Sequence, residues 1–128
     1  MIDGDRNMST PVIGLDRDGT INVDIGTYVT RPEQFTPIEG SLEAVKMIRD
    51  KGYDVVILTN QGGISKGIMD EVDVDLVHNH MLKLLGDIGC KSINGLYYSQ
   101  FYKIFRKKVW LWKQIDSSIH TKHILLLP

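Results

Sequence analysis

Val12-Ile13-Gly14-Leu15 and Val55-Val56-Ile57-Leu58 are short apolar runs that stop abruptly, the first at Asp16 and the second at Thr59-Asn60-Gln61. A short run with no polar alternation is the pattern of a strand buried on both faces of a sheet. What lies between and after these runs fixes how they can be connected. Turn residues Gly19, Gly26, Pro32 and Pro37 argue against a continuous helix after the first run. Ser41 then reads as a helix N-cap, Leu42, Val45 and Ile48 follow at helical spacing, and Gly52 stands where a C-cap belongs. Beyond the second run, a glycine-bearing loop from Gly62 to Gly67 leads to Asp70 as a second cap. Val74, Val77, Met81, Leu84 and Ile88 form the apolar stripe of a second helix. Ile93 to Tyr98 carries a weaker strand signal.

Strand, helix, strand, helix, strand in short units predicts an α/β domain with a parallel sheet and a three-layer architecture. Right-handed crossovers would bring the ends of both strands, at Asp16 and Thr59, to one edge of that sheet. Ligands of open α/β sheets bind there, outside the carboxyl ends of the strands. The chain of 128 residues has room for one such domain. Fifteen basic and sixteen acidic side chains leave no excess that would suit a polyanion, so nucleic acid is not expected as a partner. The single cysteine, Cys90, excludes an internal disulfide and suits a reducing cytoplasm. No apolar run approaches the ~20 residues needed to cross a bilayer, so no membrane partner is expected.

Asp16-Arg17-Asp18-Gly19-Thr20 is the densest chemical signal. Two carboxylates one residue apart at a strand end can divide their roles. One attacks as a nucleophile, and aspartate attacking a phosphoryl group gives an aspartyl-phosphate. The other protonates the leaving oxygen and later activates water. The same charge density invites Mg²⁺, a hard cation that prefers oxygen ligands. Thr59 offers a hydroxyl donor, the amides after it offer more, and Gly62-Gly63 permits close backbone approach to a ligand. In isolation, an Asp-x-Asp is more often a loop or a cap, and a Thr-Asn more often a turn. Their convergence at neighbouring strand ends is what raises them above that reading.

Val12 to Asn22, with its Asp16-Arg17-Asp18-Gly19-Thr20-Ile21-Asn22 wording, resembles the first motif of the haloacid-dehalogenase-like phosphatases. It is most similar to the branch of heptose-bisphosphate and histidinol-phosphate phosphatases. Thr59-Asn60-Gln61-Gly62-Gly63-Ile64 with Lys66-Gly67 resembles the second motif and the loop beyond it, and Tyr28, Val29 and Phe35 fall where that branch has a substrate-side loop. The resemblance implies a Rossmann-like fold, a phosphate monoester of a small sugar-like metabolite as substrate, and a place in carbohydrate metabolism. It also implies Asp16 as nucleophile, Asp18 as acid and base, and Thr59 with Asn60 as phosphate ligands. Mg²⁺ would be held by the Asp16 carboxylate and the Asp18 backbone carbonyl.

The departures are as informative. The third motif, a lysine that holds the phosphate, has Lys107 in Phe105-Arg106-Lys107-Lys108 as its candidate, a stretch that also reads as a solvated basic run. The fourth motif, an acidic cluster completing the metal site, has no match; Asp116 is the one acidic residue after Tyr102. Residues 11–107 therefore read as an incomplete phosphatase core after a polar leader, 1–10. Residues 108–128, with Trp110, Trp112 and Ile124-Leu125-Leu126-Leu127-Pro128, read as an atypical tail. Truncation, a frameshift or alternative splicing is the expected origin of that tail. Some members of the branch bind a structural zinc through cysteines; with Cys90 alone, none is expected here. His78 and His80 lie two apart on a helix, point in different directions and are expected at the surface or half-buried. Two other functions stay open: a catalytically incomplete remnant that binds a phosphorylated ligand or a partner, and a phosphatase of nucleotides or nucleic-acid ends.

Overall fold

A computed structural model describes residues 11–100 and the backbone of a strand at Leu125–Leu126. The elements run β1 (Val12–Leu15), a 3-10 turn (Pro32–Gln34), α1 (Ser41–Asp50), β2 (Asp54–Asn60), α2 (Glu71–Asp87), β3 (Gly95–Ser99) and β4 (Leu125–Leu126). The sheet is parallel, in the order β3-β2-β1-β4. This is the expected α/β architecture. One element was not expected: the tail contributes Leu125–Leu126, paired with Ile13 and Gly14 of β1. The order consequently reverses at β1, with β2 and β3 on one side and β4 on the other. That reversal is a topological switch point, where open α/β sheets bind their ligands.

β2 is buried on both faces. Val55 and Ile57 join the core formed with Leu42 and Val45 of α1, Val77, Met81 and Leu85 of α2, and Ile93. Val56 and Leu58 alternate to the opposite face and are also buried. Burying aliphatic side chains of this size stabilises the fold by about 1.5–3 kcal/mol each. β1 departs from expectation, since only Gly14 is buried and Val12, Ile13 and Leu15 are half-buried. Leu15 packs against the edge of the core rather than within it.

The helix ends follow local rules, with one correction. Gly40, with φ 83°, occupies the N-cap of α1, and Ser41 is the first helical residue. The Ser41 hydroxyl instead donates to the Ile21 carbonyl at 2.7 Å, tying α1 to the long connection after β1. At α2, Asp70 is the cap that the sequence suggests: its carboxylate accepts from the Asp73 amide at 2.9 Å and Asp73 returns the bond at 3.0 Å. The third strand begins later than expected, at Gly95. Asn94 precedes it as an anchor, its amide donating to the Val55 carbonyl at 2.7 Å while its side chain accepts from the Val55 amide at 2.8 Å. Among the described residues, no helix is long and apolar enough to cross a membrane.

Candidate active site

Register places the two polar clusters together. Leu15 of β1 pairs with Ile57 of β2, so Asp16 leaves β1 one step beyond that pair, level with Leu58 and next to Thr59, which ends the buried part of β2. After Asp16 the chain turns sharply. The Arg17 carbonyl accepts from the amides of Thr20, Ile21 and Asn22 at 3.1, 2.7 and 3.2 Å, and Gly19 takes φ 82°, a conformation suited to glycine. Asp18 and Asn22 thereby return to the strand end that presents Asp16.

The interior of this turn is occupied by Arg17, whose side chain is fully buried. Its guanidinium donates from Nε to Asn22 Oδ1 at 3.3 Å and from Nη2 to Asp18 Oδ1 at 3.0 Å. Its Nη1 donates to Nε2 of His78, on α2, at 2.9 Å. The Asp18 carboxylate also accepts from Asn22 Nδ2 at 3.0 Å on the same oxygen, and from Gln61 Nε2 at 3.3 Å on Oδ2. Gln61 Nε2 donates as well to Thr59 Oγ1 at 2.9 Å. One buried amide thus spans the two clusters, and Gln61 Oε1 is buried with no hydrogen-bond partner among the described residues.

Asp16 is solvent-accessible, yet enough protein surrounds it that desolvation pushes its carboxyl above the usual carboxylate range. The Arg17 amide, which donates to Asp16 Oδ1 at 2.8 Å, opposes that shift; nearby Asp18 adds to it and the Arg17 charge opposes it. His78 moves the other way, down to about 3. Burial is the main cause and the Arg17 charge the second, partly offset by Asp18. A ring that accepts a hydrogen bond from arginine at Nε2 is neutral and carries its proton on Nδ1.

Several expectations change here. His78 is not at the surface but buried at 4% exposure, whereas His80 is half-buried against the edge of Phe35. Val29 and Phe35 lie in the connection between β1 and α1, as expected, and their side chains are buried in the core. Tyr28 remains half-buried, with Lys66 Nζ 5.4 Å from its ring centroid. Gly63 does provide a close approach, but to protein: a Cβ there would lie 3.0 Å from Met69 Cε and 3.1 Å from Tyr28 Cγ. Asn60 ends β2 half-buried beside Thr59. Lys107 lies outside the described residues.

Four residues that sequence reasoning gave no role, Arg17, Asn22, Gln61 and His78, form one hydrogen-bond network that reaches Asp18 and Thr59. Arg17, Asn22 and Gln61 stand inside the motif wording. His78 lies four residues after Val74 and three before Met81, on the apolar stripe of α2, and a polar residue on that stripe was its only signal. For a metal, the strand end offers the exposed Asp16 carboxylate, a hard oxygen donor. Among the described residues no group of three or more His, Cys, Asp or Glu is assembled. Sparse, hard oxygen donors suit Mg²⁺, which keeps several of its waters.

No family model matches the chain. The chain is 44% identical over 79 residues to a D-glycero-D-manno-heptose-1,7-bisphosphate 7-phosphatase of Chlorobaculum tepidum, a match covering 62% of this chain and 40% of that protein. Among solved structures, it is similar to the D,D-heptose 1,7-bisphosphate phosphatase of B. bronchiseptica complexed with magnesium and phosphate. There the TM-score is 0.71 at 23% identity, over 83% of this chain and 62% of that one. The corresponding Burkholderia thailandensis enzyme is 31% identical with TM-score 0.55, over 70% of this chain and 52% of that one. The chain spans about half the length of the curated relatives it matches.

Proposed function

We propose that this chain, a relative of the haloacid-dehalogenase-like phosphatases in sequence and in fold, supplies the nucleophile-bearing core of a phosphatase acting on a sugar bisphosphate. The observation that carries the reading is the Gln61 amide, which joins Asp18 and Thr59 into one site at 3.3 and 2.9 Å beside Asp16. The core comprises residues 11–107, preceded by a leader and followed by the tail, and the compartment is the cytoplasm.

Asp16 attacks phosphorus, the bond to the sugar oxygen breaks, and Asp18 gives that oxygen a proton. Asp18 then takes a proton from the water that cleaves the aspartyl-phosphate, which restores both carboxyl groups. Thr59 Oγ1 accepts from Gln61, so its own hydrogen is available to a phosphoryl oxygen. Asn60 and, in the third-motif position, Lys107 complete the phosphate contacts. Mg²⁺ would be held by the Asp16 carboxylate and the Asp18 backbone carbonyl and, when bound, offsets the repulsion between two anions.

The test is Mg²⁺-dependent phosphate release from heptose bisphosphate, histidinol phosphate and an aryl phosphate, with Asp16→Asn alongside. Release that requires both Mg²⁺ and Asp16 is the expected result. A second reading, a chain that binds a phosphorylated ligand without turning it over, is favoured by the sequence, in which the acidic fourth motif has no match and Asp116 is the one acidic residue after Tyr102. Phosphate binding by a folded chain that releases none from any substrate would decide for it.

A further inference from the structure

A fully buried guanidinium is costly unless its donors are satisfied and its charge is paired. Arg17 meets that demand along all three of its nitrogens: Nε on Asn22, Nη2 on Asp18 and Nη1 on His78. Asn22 and Asp18 belong to the same turn as Arg17. His78 comes from α2, 61 residues away, and is the one partner of the three that anchors the turn to the body of the domain. Two anchors leave a planar group free to tilt about the line joining them, and a third fixes the plane. The imidazole is itself held, edge-on to the Tyr98 ring with centroids 6.1 Å apart. Tyr98 lies on β3 and pairs with Thr59 of β2. His78 thus connects α2 and β3 to the carboxylate that serves as acid and base.

We propose that His78 is a positioning residue, whose neutral imidazole fixes the plane of the Arg17 guanidinium and through it the direction of the Asp18 carboxylate. The inference rests on the proposed role of Asp18. It assigns function to a helix position that makes no contact with the attacking residue. The requirement on position 78 is a hydrogen-bond acceptor at the distance of an imidazole Nε2, without charge. Glutamine can place its carbonyl oxygen near that point; leucine fills the volume and offers no acceptor; asparagine carries an acceptor too short to reach.

The experiment compares His78→Gln and His78→Leu with the wild type by steady-state phosphate release and by crystal structure. His78→Leu should lower kcat by about 10- to 100-fold with KM little changed, the scale on which a misplaced catalytic group loses rate. His78→Gln should recover most of it, to within about threefold. In the structures, Asp18 Oδ1 should leave Arg17 Nη2 in His78→Leu and stay in His78→Gln. Equal kcat in the two variants, or an unmoved Asp18 in His78→Leu, would overturn the proposal. Should His78→Leu not fold, His78→Asn takes its place with the same expectations. Should the wild type release no phosphate, the catalytic reading fails by itself, and the Asp18 position in the variant structures decides whether His78 positions it.

Discussion

Arg17 and His78 form a buried pair in which only one member carries charge, and this has a consequence for stability. The folded state holds the His78 pKa near 3, below its ordinary 6.5. Between those values the unfolded chain binds a proton that the folded chain refuses, so stability rises with pH. The contribution is complete above about pH 6.5 and is lost as pH falls toward about 3, with a slope of at most about 1.4 kcal/mol per pH unit for this group. Urea unfolding at about pH 4.5 and about pH 7 should show a smaller difference for His78→Gln than for the wild type; equal differences would remove His78 as the cause. Thr59 is the second residue whose loss can be anticipated. Thr59→Val keeps the shape but removes the hydroxyl that accepts from Gln61. A fall in kcat of about 10²-fold is expected, with a stability loss of about 1–3 kcal/mol from the impaired buried amide. Thr59→Ser should retain most of both, and phosphate release with urea unfolding measures the two effects separately.

The strands are constrained by close packing where they carry no chemistry. Gly95 opens β3 beside β2, and a Cβ there would meet the Tyr97 ring and lie 2.9 Å from Val56 Cγ1. Gly95→Ala should therefore destabilise the domain by about 1–3 kcal/mol, the usual cost of overpacking. Thermal unfolding unchanged from the wild type would show that β3 can yield. At α2 the paired bonds between Asp70 and Asp73 satisfy amides at the helix start. Asp70→Ala should cost about 1 kcal/mol in the same measurement. Both predictions concern how firmly α2 and β3 are held, and His78 and Tyr98 are carried on those two elements.

For the molecule as a whole, the sheet order β3-β2-β1-β4 puts the end of β1 at the point where the connectivity reverses. Asp16 therefore sits at the switch point, just past the end of β1, which pairs with β2 on one side and, at Ile13 and Gly14, with the tail strand on the other. A ligand that binds the folded state alone stabilises it by mass action, about 2.7 kcal/mol at a hundred times its Kd. Thermal unfolding of the wild type should shift upward with rising Mg²⁺, and Asp16→Asn should respond far less. A wild-type chain indifferent to Mg²⁺ would remove the metal from the proposed chemistry.

The amino-acid sequence by itself determined the strands β1 and β2, both helices, the Asp70 cap and the strand-end positions of Asp16 and Thr59. These are written in local patterns: apolar runs, helical periodicity and capping residues, each read within a few neighbours. It misplaced Ser41, because a serine before a helix suits the cap and the first turn alike; the choice fell to the distant Ile21 carbonyl. It gave His78 a place on a helix face but no partner. Only the tertiary structure decided that this histidine meets Arg17, that Gln61 reaches Asp18 from 43 residues away, and that Leu125–Leu126 lies beside β1. Periodicity records which face a residue occupies; what that face meets depends on how separate elements pack, and no local pattern carries it.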